Sequence, residues 1–173
     1  GNPIDMVNGV PVTLIDNGMP CVVMKATDVG ATGYESREEL DTATELKSKI
    51  EAIRLAVGAR MNLGDVSGKS VPKMMLVAPP RFGGAVTVRS FIPHRAHASI
   101  GVLGAVSVAT ACLIEGSPAA KVAVIPDGRR KTLSVEHPTG ETTCVMELDE
   151  SGAVTSAAML RTARKLMDGD IFA

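Results

Sequence analysis

The run from Ile100 to Ile114 (IGVLGAVSVATACLI) carries no charge and is apolar or small at every position. A helix that is hydrophobic on every face cannot lie on a surface, so the remainder of such a chain must be folded around it. Gly116 follows the run as a stop. Ahead of it, Pro93-His94-Arg95-Ala96-His97-Ala98-Ser99 is polar and holds two of the three histidines. The pattern predicts a buried helix from about Ser99 to Glu115 with a cationic entrance. The first turn of a helix has unpaired N–H groups and a partial positive charge, which suits an anion.

A chain of 173 residues supplies one ordinary core. Hydrophobic content of 45% against 21% charge is that of a globular protein. The net charge of −1 gives no field that would draw nucleic acid or an anionic membrane. Aromatics at 2% leave no stacking platform for single-stranded nucleic acid. No apolar run reaches the roughly 20 residues of a membrane span. Cys21, Cys112 and Cys144 are odd in number, sit in apolar runs and match no metal spacing. They are expected to be free and buried, as in a cytoplasmic protein. The opening Gly1-Asn2-Pro3 lacks a methionine, which suggests processing or a piece of something longer.

Taken in order, the chain punctuates itself. Val12–Ile15 and Cys21–Lys25 are strand-like runs around Asn17-Gly18, a strong hairpin signal. The turn accounts for Asn17, although a ligand contact is the alternative. Ser36 and Glu39 fit a capping box. A helix from about Arg37 to Asn62 follows, with Ala43, Leu46, Ile50, Ile53, Val57 and Met61 as its apolar stripe and Glu45, Lys47, Lys49, Glu51 and Arg54 on its other faces. Gly68-Lys69-Ser70 resembles a phosphate loop, but the preceding strand and the Gly spacing are missing and Pro72 blocks a following helix. Lys73–Ala78 and Ala85–Phe91 are strands, the second leading into the histidine segment. After Gly116, strands are predicted at Lys121–Ile125, Lys131–Glu136, Glu141–Asp149 and Val154–Leu166, split by regular turn clusters as in an antiparallel meander. Arg161, Arg164 and Lys165 read as solvated strand residues. The class is therefore α+β: a mostly antiparallel sheet rolled around a central helix, with a second, amphipathic helix outside.

His94, Arg95, His97 and Ser99 are the candidate site. As an anion cradle, Arg95 would pair with a carboxylate, and the histidines, Ser99 and the N–H groups of Ile100 and Gly101 would donate. Gly101 and Gly104 would let a ligand and a strand come close. The bland alternative is a capped buried helix preceded by polar loop residues. Metal binding by His94 and His97 lacks a third ligand nearby, and a serine nucleophile lacks its elbow motif.

IDNGMPCVVMKATDVGATGYES, GARMNLGD, VRSFIPHRAHASIGVLGAVSVATA and the closing TARKLMDGDIFA together resemble the 4-oxalomesaconate tautomerase / 2-methylaconitate cis–trans isomerase (PrpF-like) family, specifically its C-terminal half. The resemblance covers nearly the whole chain. It implies a diaminopimelate-epimerase-like fold, in which two similar domains each roll a sheet around a helix and the active site lies between them. Cofactor-independent movement of a proton in small unsaturated di- and tricarboxylates is implied with it. The family's proton-transfer lysine and cysteine belong to the N-terminal half, which this chain lacks. In the related amino-acid epimerases a cysteine opens the second central helix (Ala-Cys-Gly-Thr-Gly-Ala). The matching Ile100-Gly101-Val102-Leu103-Gly104-Ala105 has glycine there.

The chain is thus expected to be a single domain, residues 1–173. It would bind substrate through His94, Arg95, His97, Ser99, Ile100 and Gly101, with weaker candidates at Asn2, Asp5 and Asn17. No metal or cofactor is expected. Its partners would be a small carboxylate, the N-terminal domain of the same protein and a second copy in a homodimer. A non-enzymatic interaction module with the same fold is the alternative.

Overall fold

A computed structural model describes residues 2–160 and 163–170. Eight strands follow one another in chain order across one continuous sheet: β1 (Asp5–Val7), β2 (Val10–Asp16), β3 (Pro20–Lys25), β4 (Lys73–Ala78), β5 (Val86–Phe91), β6 (Arg130–His137), β7 (Gly140–Leu148) and β8 (Val154–Met159). Neighbours are antiparallel except β3–β4 and β5–β6, which are parallel. Those two joints are bridged by the chain's helical excursions: α1 (Arg37–Thr42) and α2 (Thr44–Val57) between β3 and β4, and α3 (Val102–Leu113) between β5 and β6. The fold is α+β, as the sequence predicts.

The middle strands explain their own composition. Side chains alternate across a strand, and here both faces are covered. Cys21, Val23, Met75, Val77, Val86 and Val88 pack with α3's Ala105, Val108, Ala109 and Cys112. The alternate residues Val22, Met24, Met74, Leu76 and Phe91 pack with Leu40, Ile50, Ile53 and Val57 of α1 and α2. Because α3 touches β2 and β3 at one side and β6, β7 and β8 at the other, the sheet is wrapped around it.

Several predicted boundaries move. The central helix begins at Val102 and ends at Leu113, inside the predicted Ser99–Glu115. The Arg37–Asn62 helix is two helices, broken at Ala43 and ended at Gly58. Its capping box is present as predicted. Lys121–Ile125 is no strand. Lys121 and Val122 lie in turns, Ala123 N–H bonds back to Ala119 O (3.0 Å), and Val124 N–H donates to Ala85 O (2.8 Å). The predicted last strand, to Leu166, stops at Met159, and Arg161 lies outside the described residues. Arg54, expected off the apolar stripe, is completely buried. Its guanidinium holds both oxygens of Glu51 (2.7 Å each) and the carbonyls of Val66, Lys69 and Val71. The Gly/Ser-rich loop before β4 is therefore folded around a cation and is no phosphate cradle.

A second buried ion closes the roll. The parallel β5–β6 ladder has only the pairs Val86–Val135 and Thr87–Glu136 in register. Glu136, 3% exposed, supplements it. Its carboxylate accepts from the N–H groups of Arg81 (2.7 Å), Phe82 (2.7 Å) and Gly84 (2.9 Å) and from the Thr87 hydroxyl (2.6 Å). A Cβ on Gly84 would stand 2.8 Å from Glu136 Cγ, so only glycine lets the loop close. Burial alone would push the carboxyl up. The hydrogen bonds from Arg81, Thr87, Gly84 and Phe82 outweigh it and leave Glu136 below its ordinary value of 4.5. A depressed carboxyl stabilises the fold above its unfolded value, and that contribution is lost as pH falls through the folded value. Glu136→Gln should lower unfolding stability by about 2 kcal/mol at pH 7. In urea melts the deficit should shrink below pH 4.5. A deficit unchanged at strongly acid pH would contradict the assignment.

Candidate functional site

Between β5 and α3 the chain makes a four-residue reversal. Ile92 N–H donates to Arg95 O (2.9 Å), Phe91 pairs with Ala96, and His97 N–H returns to Ser90 O (2.8 Å). Asp41 of α1 pins the returning arm by accepting from Ala96 N–H (2.7 Å). Two residues at the tip, His94 and Arg95, are thereby pushed out and exposed, while Ala96 is buried and His97 is brought back to the sheet.

His97 ends beside the head of α3. Its Nδ1 accepts from the Ser99 N–H (2.9 Å). A backbone N–H can only donate, so the ring proton sits on Nε2 and remains available as a donor. The first intrahelical bond of α3 runs from Ala105 N–H to Gly101 O (2.9 Å), and no side chain caps this end. Val102, Leu103 and Gly104 therefore carry N–H groups without helical partners.

These groups meet in a cavity of about 240 Å³, lined by His97, by Gly101 to Gly104, by Met19, Met75 and Ile92, and by Lys73 and Ser90. No acidic side chain lines it. Met75 Cε is the floor: a Cβ on Gly104 would stand 2.9 Å from it, so the methionine end and the helix are in close contact there. Gly101 has nothing within 4 Å of a built Cβ and opens onto free space.

The predicted residues divide. His97 and Gly101 line the cavity, and Ser99 orients the His97 ring. Ile100 is a core residue, 5% exposed. The N–H groups without helical partners are those one to three positions after Gly101, because the helix starts later than predicted. His94 instead faces α2, with Nδ1 3.7 Å from a Glu51 oxygen, and lines a shallow depression there with Lys47 and Leu55. Arg95 is exposed and away from the cavity lining. Among the described residues Asn2 donates to Asp5 (3.4 Å), at the β1 end of the sheet. Asn17 donates to Thr110 Oγ1 (3.0 Å) and so docks the β2–β3 hairpin on α3. Lys73 and Ser90 were not anticipated. Each sits in an unremarkable strand run, and only strand register turns both toward α3.

Comparison with known proteins is decisive at the family level. The family described as PrpF protein matches residues 1–173. The chain belongs to the PrpF family. It is 78% identical over 172 residues to a protein of Novosphingobium sp. strain KA1 named (4E)-oxalomesaconate Delta-isomerase, covering 99% of this chain and 48% of that protein. It is 59% identical over 169 residues to the 4-oxalomesaconate tautomerase of Pseudomonas putida, covering 98% of this chain and 46% of that one. The crystal structure of a methylitaconate-delta-isomerase superposes with a TM-score of 0.84 at 22% identity, over 98% of this chain and 49% of that chain. That likeness establishes the diaminopimelate-epimerase-like fold. The chain spans about half the length of these relatives.

For this PrpF-family chain the His97 geometry makes a direct prediction. Nitrogen-15 spectra of the neutral imidazole should report the Nε2–H tautomer, with Nδ1 bonded to the Ser99 amide. A predominant Nδ1–H form would be incompatible with the bond at 2.9 Å.

Proposed function

We propose that the chain is the C-terminal, substrate-holding half of a cofactor-independent isomerase that moves a proton within a small unsaturated di- or tricarboxylate of the 4-oxalomesaconate or 2-methylaconitate type. The observation that carries this is the uncapped head of α3 facing a cavity with cationic and neutral donors and no acid. A substrate carboxylate seats on the N–H groups of Val102, Leu103 and Gly104, with His97 Nε2–H as a side-chain donor. When a proton leaves the carbon next to the conjugated double bond, negative charge spreads into that carboxylate. Donors already aimed at it stabilise the enediolate-like state without reorganising.

The proton itself is handled by the rest of the protein. Burial pushes the thiols of Cys21 and Cys144 up to about 11 and that of Cys112 up to about 12, and none of the three lines the cavity. At neutral pH they are inert thiols. The rim residues Ile92, Val102 and Leu103 are apolar and 37%, 42% and 41% exposed. The N-terminal domain of the same protein would cover them, and a homodimer is the competing way to do so. His94, Arg95, Asn2, Asp5 and Asn17 have no part in the cradle.

The test is a fusion of this chain to the portion of the Novosphingobium enzyme that it does not match. The fusion should isomerise 4-oxalomesaconate, and the chain alone should not. His97→Ala in the fusion should lower kcat/KM by about 100-fold, the order of one lost transition-state donor. Turnover by the isolated chain at the rate of the fusion, or a folded fusion with no activity, would reject the proposal.

A further inference from the structure

The cavity has a second wall, and it comes from the sheet. Met75 of β4 lies opposite Ser90 of β5 in the antiparallel pair. Lys73, two residues before Met75, points to the same side. Lys73, Met75 and Ser90 therefore form one surface facing the first turn of α3 across the cavity.

Both polar members of this wall are under-partnered. Ser90 is only 3% exposed, and its carbonyl is taken by the His97 N–H. Its hydroxyl has no hydrogen-bond partner among the described residues and reaches the cavity. A hydroxyl that opens to a cavity without a protein partner is free to bond a ligand there. Lys73 donates one proton to Ser70 O (2.6 Å) and has no carboxylate partner among the described residues. Burial draws its ammonium below the ordinary lysine value, as expected of a cation without a counter-charge. Everything else on this side is apolar: Met19, Met75 and Ile92.

We propose that Lys73 and Ser90 are a strand-borne second clamp, in which Lys73 supplies the counter-charge and Ser90 a hydrogen bond to a carboxylate carried on a short apolar carbon arm. This rests on the cavity being the carboxylate cradle, and it names which residues select charge there. The two have separable duties. An ammonium distinguishes a carboxylate from an uncharged carboxamide of the same shape, whereas a hydroxyl serves either. The helix N–H groups hold the ligand from one side and the strand residues from the other.

The probes are mesaconate and its diamide, titrated into the chain and followed by the amide resonances of Val102, Leu103 and Gly104. The chain should bind mesaconate about tenfold more tightly than the diamide, the order of one charge-assisted contact. Lys73→Met should abolish that preference and leave the diamide unaffected. Lys73→Arg should retain the preference, which separates loss of charge from loss of fold. Ser90→Ala should weaken both probes about threefold and keep their ratio. A preference for mesaconate that survives Lys73→Met in a folded chain overturns the clamp and leaves the helix cradle standing. No shift of the three amides with either probe overturns the cradle and the clamp together.

Discussion

The close approach of α3 to β4 brings together everything that meets at the cavity, and it is tightest at Gly104, over Met75. A Cβ there would stand 2.9 Å from Met75 Cε, the flexible end of that side chain, which would have to swing aside and give up its place under the first turn. As it stands, the first turn rests on Met75, and the unpaired N–H groups come level with the side chains of the strands beneath. Ser90 is there because it is Met75's ladder partner, and Lys73 because it is on the same face of the same strand. Polar groups from three elements thus converge where the helix lies close on the strands.

That arrangement is held from both faces of the sheet. The inner core fixes α3, and the outer core fixes α1 and α2. The outer core also reaches the site, since Asp41 of α1 holds the Ala96 N–H and so determines where the reversal after β5 returns His97. Two buried ions stabilise the segments that local propensity leaves loose. Arg54 organises residues 66–71 ahead of β4. Glu136 organises residues 81–84 between β4 and β5. Each satisfies backbone groups that would otherwise be stranded without partners, and each secures one end of a strand that carries a cavity residue.

Features set by neighbours in sequence were legible from sequence. The Asn17-Gly18 hairpin, the Ser36–Glu39 capping box and the all-apolar central helix each follow from residues within a few positions of one another, and each is present. Features set by distant partners were not. Arg54 read as a residue off the apolar stripe because the carbonyls it binds lie 12 to 17 positions later in a loop. Lys121–Ile125 has strand composition, yet its first three N–H groups bond locally to Ser117 and Ala119, and only Val124 reaches a distant partner, Ala85 O. His94 and Arg95 were grouped with His97 by proximity in the chain, but a tight reversal separates neighbours as surely as a fold unites strangers. Lys73 and Ser90 were invisible for the converse reason: only the β4–β5 register reveals that they share a face. The family resemblance supplied the fold and the class of chemistry, and it could not supply that register.

The two glycines at the head of α3 are there for different reasons. Gly104 leaves the space that the end of Met75 fills. Gly101 is not dictated by the fold: its φ of −69° and ψ of 153° suit any residue, and a Cβ there would meet nothing within 4 Å. A cysteine, as in the related amino-acid epimerases, would fit this helix cap without strain. Its thiol would sit among unpaired N–H groups, where helix ends lower thiol pKa values and make them reactive. What the glycine provides is therefore room in the cavity and the lack of a competing nucleophile beside the donors. The helix end that could have held an acid/base is left as a surface of hydrogen-bond donors, with Lys73 and Ser90 facing it.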